Sequence, residues 1–550
     1  MKSLFKPFVL SLLISAITLL PMSKAFCQSS PEPAVVVSIA KLDEQISDVK
    51  YLMDAAGFGQ MMFFVDAMIK PYTNGIDGKK DAGLMIYFSD NSPIPEVVGF
   101  VPVTDMEAIL DTVSGMAEID EGDEMTTIIM DTGQEMSVKM DGNYAFFSMN
   151  AEMLESTPAV PKDVIKELAE YNIAAKIFSQ NIPESMKDQA MDLIRSSAEM
   201  TQSQLGEDAN LDLQMEQVEM MLTQSDSLTI GFSINEMNKN LLIDFGFKGM
   251  PNSDLAAKIS DSAPKEPSKF SGFVMDGAAM TLNQSGSISG EDAASYSSTL
   301  TDLVPSMMEE LGYDSDLSDD KLDAIAKAMN TLVDVAEETL QNGVIDMGAV
   351  IMMDDKDVNF GMGMQLTNPK KLESAVKELA KMAEEMAPGE LEINLNSGSH
   401  KDVTFHTINV DVSSGPDEMQ EVLGSSVALV VGIGMDTAYL GVGTNPQSII
   451  KKAMDASAKG ASQGEPQSTA MSMSFHLVPI LEMAARVDGN PMMEEMIDAL
   501  KESGNDTINM TYDIDDGVNF RIEIQDGIFA LLGAAGAQMQ APFPGGDEDF

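Results

Sequence analysis

The chain has 550 residues, with 88 acidic and 33 basic side chains and a formal net charge of −55. Such a surface repels nucleic acid and anionic lipid headgroups, so neither is an expected partner. Hydrophobic residues make up 44%, enough for globular cores, so the acid excess does not imply disorder.

The N-terminus reads as a secretory signal peptide over residues 1–27. Lys2 and Lys6 form its basic region, and Phe8–Leu20 is an apolar run too short for a good membrane span. Ser23-Lys24-Ala25 and Ala25-Phe26-Cys27 both fit small-x-small cleavage, so the cut falls after Ala25 or Cys27. Cys27 is the only cysteine, and Phe26 before it is too large for the lipoprotein pattern. The expected mature protein is exported to the periplasm or beyond the cell. It has no intramolecular disulfide, no cysteine-based metal site and no membrane-spanning helix.

After a polar lead, Gln28–Pro33, a first domain is expected over 34–261. Its elements include a helix capped at Thr104-Asp105, a hairpin turn at Asp141-Gly142, and helices over Met186–Met200 and Leu211–Leu222. A strand over Leu241–Lys248 places Leu241, Ile243, Phe245 and Phe247 on one face. The Pro and polar composition of residues 262–268 reads as a linker. A second domain is expected over 269–536. Leu322, Ile325, Ala326, Met329, Val333, Ala336 and Leu340 trace a helical apolar stripe there, starting near Ser318 and stopping at Gly343. Hairpin turns are marked at Asp354–Asp357 and Asp515-Asp516-Gly517, and Thr367-Asn368-Pro369 starts a helix. In Phe360–Leu366 the set Phe360, Met362, Met364 and Leu366 is expected to face the core. In Val518–Gln525 the apolar set is Val518, Phe520, Ile522 and Ile524. The tail, 537–550, is Pro/Gly-rich, acidic and expected to be disordered.

Three segments recur in the same order. Leu84–Leu110 returns as Gly348–Val376, the motif MDGNY (Met140–Tyr144) as MDTAY (Met435–Tyr439), and Leu228–Gly249 as Ile508–Gly527. The simplest account is a tandem duplication. The expected fold is therefore α+β: two tandem related domains, each an antiparallel sheet with helices packed on one face. The long amphipathic helices argue against an outer-membrane barrel.

The chemistry-bearing residues are sparse. There are three histidines, His400, His406 and His476, all in the second copy. His400 is expected in a turn, and His406 and His476 in strands. No zinc spacing links them, and an activity shared by both copies cannot depend on them. Gly286-Ser287-Ile288-Ser289-Gly290 misplaces its serines for a nucleophile elbow. Gly432, Gly434, Gly441 and Gly443 suggest close packing of a hairpin, not a phosphate cradle. Asp314–Asp320 alternates acids as a calcium loop does, but Asp319 replaces the required glycine and Ile325 the closing glutamate. It reads first as an acidic loop with a helix cap, with weak calcium binding as the alternative. The 46 methionines read as core filler. The functional alternatives are a deformable groove for a lipid-like ligand and a copper(I) thioether site at Met362/Met364 and Met471/Met473.

The strand-to-helix junction GFVPVTD (Gly99–Asp105) and the terminal VNFRIEIQDGI (Val518–Ile528), with the leader, carry a resemblance. On these the chain resembles an uncharacterised family of exported α+β proteins of aquatic bacteria with a tandem duplicated domain. That family has no established activity, so the resemblance assigns no catalytic, cofactor or metal residue. The expected function is non-enzymatic: an exported, acidic, methionine-rich binding or scaffold protein. It would have an apolar groove for a hydrophobic small molecule, or an envelope protein as partner. The alternative is an exported hydrolase working through paired carboxylates, with or without calcium.

Overall fold

The computed structural model describes residues 32–531, apart from internal stretches of which 206–210, 309–318, 414–419 and 461–468 are the longest. The expected signal peptide, Cys27, the tail and Asp314–Ser318 lie outside the described residues. The chain is α+β with antiparallel sheets, as expected, and divides into two compact units. The first holds the chain up to Lys50, Met61–Ser233 and Phe247–Leu255. The second holds Tyr51–Gln60, Ile234–Gly246 and the chain from Ala256.

The first unit contains β1 (Val35–Ile39), β2 (Ala82–Ser89), β3 (Ser92–Pro102), β4 (Ala117–Glu121), β5 (Thr126–Met130), β6 (Glu135–Asp141), β7 (Tyr144–Ser148), β8 (Ile173–Ile177) and most of β9 (Ser225–Asn235). Their order is β9-β8-β1-β2-β3-β7-β6-β5-β4, with every neighbour antiparallel. Antiparallel order follows from the hairpin turns, for which Gly142 supplies a positive φ of 57°. After β3, Asp105 caps the helix Met106–Ser114 by accepting the Ala108 amide at 3.2 Å. The core gathers Met85, Val98, Phe100, Phe146 and Leu154.

The second unit contains most of β10 (Asn240–Gly249), then β11 (Met280–Ser287), β12 (Val344–Met353), β13 (Val358–Gln365), β14 (Leu391–His400), β15 (Val403–Asp411), β16 (Ser426–Ile433), β17 (Thr437–Gly443), β18 (Thr469–His476), β19 (Thr507–Ile514) and β20 (Val518–Gln525). Beside β10, which pairs with β20, the order is β20-β19-β18-β11-β12-β13-β17-β16-β15-β14. From β19 to β14 each strand follows the place of its counterpart from β9 to β4. The segments matched in sequence fall on corresponding hairpins: β2–β3 with β12–β13, β6–β7 with β16–β17, and β9–β10 with β19–β20. The MDGNY and MDTAY motifs are slipped within theirs. Val103 N–H donates to the Asn143 carbonyl and Leu366 N–H to that of Asp436, so Phe146, not Tyr144, stands where Tyr439 does.

Three expectations change. First, the units differ from the expected domains in Tyr51–Gln60, Ile234–Gly246 and Ala256–Asp261, and polar pairs tie the first two of these to β20 and the residue after it. Tyr51 Oη donates to Asp526 Oδ2 at 2.6 Å, and Arg521 holds Asp244 with two bonds. The expected linker is also structured at both ends, since the helix Asp254–Ser262 runs into it and Ser268 is buried. Second, Asn359, Gly361 and Gly363 are the buried residues of β13, while of the expected inward set Phe360, Met362 and Met364 are half-buried and Leu366, just past the strand, is buried. Side chains of other elements press onto the glycines, which makes theirs the tighter face. Third, helices flank both faces of this sheet. Ile449 and Ile450 of the helix Pro446–Gly460 lie over Gly361. On the opposite face Met364 and Ala438 pack with Val335 of the helix Asp319–Gln341 and Leu372 of the helix Pro369–Met386. The helix Asp319–Gln341 does end before Gly343, at φ 75°, as its stop signal predicts.

Candidate functional site

The feature that separates the two units is how each fills the middle of its sheet. In the first, Gly83 of β2 faces Phe100 of β3 across the ladder. The Phe100 ring lies over that glycine, where an added Cβ would come within 2.5 Å of its Cζ. In the second unit the corresponding ladder pair is Gly348 with Gly363, so neither strand supplies a side chain. The ring that fills the pit is Phe270, which arrives from the segment leading into β11. A Cβ on Gly363 would stand 2.7 Å from Phe270 Cδ1 and 2.9 Å from Tyr439 Cδ1. A Cβ on Gly348 would stand 2.8 Å from Phe270 Cβ. Close approach of another chain segment is the reason for glycine here. The aromatic contacts match as well. Phe100 meets Phe146 at 6.5 Å between centroids, and Phe270 meets Tyr439 edge-on at 5.9 Å.

The segment Ser268–Phe273 is held at four points. Asp346 accepts the Ser268 hydroxyl at 2.6 Å and the Lys269 amide at 2.9 Å. Lys269 Nζ pairs with Asp436 at 2.6 Å. The Gly272 amide donates to Ser457 Oγ at 2.9 Å, and Phe273 stacks on Tyr439. Burial pushes the Asp346 carboxyl up, while the Ser268 and Lys269 hydrogen bonds and the Lys269 charge pull it back.

The same sheet face turns polar toward β10. One ladder row runs Thr281, Ser474, Asn509, Glu523, and Asn240 reaches Glu523 from β10. The next runs Asn283, Ser472, Thr511, Arg521, and Arg521 binds Asp244 at 2.8 and 2.6 Å. The Asp244 side chain is 1% exposed, so a planar bidentate cation is the partner that suits it. The alternation of Val518–Gln525 located the polar side of β20. The signal for its partner was a lone acid inside the apolar run LLIDFGF.

The histidines do not converge. His400 closes β14, where its Nε2 lies 2.9 Å from Asp455, which Lys401 also binds at 2.8 Å. The expected turn at His400 is instead strand. Asn396 forms a bulge at φ 58°, and the turn follows at Lys401-Asp402, both with positive φ. His406 of β15 is 1% exposed. Its Nδ1 accepts the Asn396 amide at 3.1 Å, and its Nε2 lies 3.5 Å from Glu373. Loss of water around the ring holds the His406 pKa below its ordinary value; Lys377 adds to this and Glu373 opposes it. His476 ends β18, with Nδ1 at 3.1 Å from Thr507 Oγ1 and 3.3 Å from Asp506. Among the described residues no group of three His, Cys, Asp or Glu side chains is placed to hold a metal. Among them too, no helix is long and apolar enough to cross a membrane. Asp319 and Asp320, the described end of the acidic loop, open the helix Asp319–Gln341.

No family model matches the chain, and no curated protein matches it. Among solved structures, crystal form I of TP0453 is similar to it at 10% identity and a TM-score of 0.22, covering 42% of this chain and 80% of that one. A likeness at that score carries no argument.

Proposed function

We propose that this is an exported, acidic, non-enzymatic binding or scaffold protein that works through its surface. One observation carries the reading: the buried sheet face in each unit is filled by the chain's own rings. These are Phe100 and Phe146 in the first unit, and Phe270, Phe273 and Phe405 in the second. A carrier of lipid-like molecules needs an apolar cleft of several hundred Å³, and this packing supports the scaffold form of the reading over a preformed groove. The charge of −55 favours a basic partner surface, or one bridged by divalent cations. The leader supports export to the periplasm or beyond the cell, and the matching strand orders support descent of the two units from a duplicated ancestor. The test is native mass spectrometry of mature protein purified from its own envelope fraction, before and after organic extraction and chelation. A mass equal to the sequence, or a complex with another protein, is expected. Loss of a few hundred daltons on extraction would make it a carrier instead. Loss of calcium-sized steps on chelation would move the weight to cation binding.

A further inference from the structure

The two units solve one packing problem with rings of different origin, and the difference has a binding consequence. In the first unit the ring belongs to the sheet, because Phe100 is part of β3 and cannot leave without β3. In the second unit both sheet positions are glycine, and the ring belongs to a six-residue segment outside the sheet. We propose that the pit over Gly348 and Gly363 is a binding site for an aromatic ring carried on a tight turn, with Ser268–Phe273 as its resident occupant.

Three features fit this assignment. The pit has a backbone floor, so a ring can descend to van der Waals contact with the strands. Its wall is Tyr439, which receives Phe270 edge-on at 5.9 Å and Phe273 in a near-parallel, offset arrangement at 6.5 Å between centroids. Its rim carries polar anchors for a peptide backbone: Asp346 accepts the Lys269 amide and Ser457 the Gly272 amide. Ring, wall and backbone anchors together are how a groove recognises a peptide. The ligand class is therefore a short segment with an aromatic residue, preceded by a backbone amide free to donate to Asp346 and followed two residues on by glycine. Glycine is required because a Cβ on Gly272 would collide with the Ala453 carbonyl. The inference goes beyond the scaffold reading and stands or falls separately, since the resident segment fills the pit whatever the surface binds.

Two measurements on the full mature chain test it. The first is amide exchange. The Lys269 and Phe273 amides should exchange through an opening that leaves the β12 amide of Val350 protected. Ser457→Ala strips the Gly272 amide of its acceptor, so it should speed that opening roughly tenfold or more. Exchange of the segment only together with β12 would show it to be an integral part of the core and overturn the proposal. The second uses a fluorescent synthetic peptide covering Lys265–Asp276. It should bind a Phe270→Ala variant saturably and at least tenfold more tightly than it binds the wild type. The same peptide with alanine at its Phe270 position should not bind. Equal binding of both peptides would also overturn the proposal, and if Phe270→Ala does not fold, the exchange result decides.

Discussion

Exchanging the source of the ring gives a sharp prediction for the second unit. Phe270→Gly deletes a fully buried ring that touches Gly348, Gly363 and Tyr439. Phe-to-small changes in a core cost about 3–5 kcal/mol, as lost transfer energy plus an unfilled cavity. At roughly 1.6 °C per kcal/mol for a unit of about 300 residues, its melting transition should fall by about 5–8 °C. Gly363→Phe alone forces a second ring into space where even a Cβ would lie 2.7 Å from Phe270, an overpacking cost of about 1–3 kcal/mol or more. The double variant Phe270→Gly/Gly363→Phe recreates the first unit's arrangement, a strand ring over a glycine partner. It should be more stable than either single variant and recover at least half of the Phe270→Gly loss. Differential scanning calorimetry of all four proteins reads this as a coupling energy. A double variant whose loss equals the sum of the single losses would refute the claim that one pit is filled from two sources.

Three further predictions follow from other parts of the molecule. Arg521→Leu leaves the buried Asp244 without two charge-assisted hydrogen bonds, so unfolding free energy should fall by about 3 kcal/mol in denaturant titration. Asp244→Leu/Arg521→Leu should regain much of that loss, and an equal loss in both proteins would contradict the pairing argument. Loss of water lowers the His406 pKa in the folded state, so its contribution is full above its unfolded pKa of about 6.5 and is lost as pH falls from there through the folded value. His406→Gln should therefore flatten the decline in stability between about pH 7 and pH 5, by up to roughly 1.4 kcal/mol per pH unit. An unchanged slope would show that the ring does not titrate there. Met237 and Met435 are 91% and 92% exposed at hairpin tips, whereas Met85 and Met454 are buried. Graded hydrogen peroxide should convert the first two to sulfoxides well before the latter pair, as peptide mass spectrometry will show. Oxidation of Met85 at the same rate would mean that its core opens readily.

Much of the fold was legible because its signals are local. Asp105, Pro369 and Gly343 mark helix ends by satisfying or sparing backbone groups, and Asp141-Gly142 marks a hairpin by its backbone freedom. The inner face of β13 was not legible, because alternation of Phe and Met with Gly reads as apolar against neutral. Glycine becomes the buried side only when another segment arrives to cover it, which is a tertiary fact. The hint lay far upstream, where SKFSGF at the end of the expected linker, Ser268–Phe273, sets two aromatics around a glycine. The polar rows were half legible, since alternation gave the side chains of β20 but not the distant β10 partner. The isolation of the three histidines followed from their spacing. The meeting of His406 with Glu373 did not, because it brings β15 against a helix more than twenty residues upstream.

On the proposed reading, the chain's own rings pack the buried face of each sheet, so the protein should take up no apolar ligand there. Titration of the delipidated mature protein with a fluorescent fatty acid tests it most directly. The account predicts no saturable, one-to-one rise in emission at micromolar protein. A saturable rise that unlabelled fatty acid reverses would contradict it and make the protein a carrier.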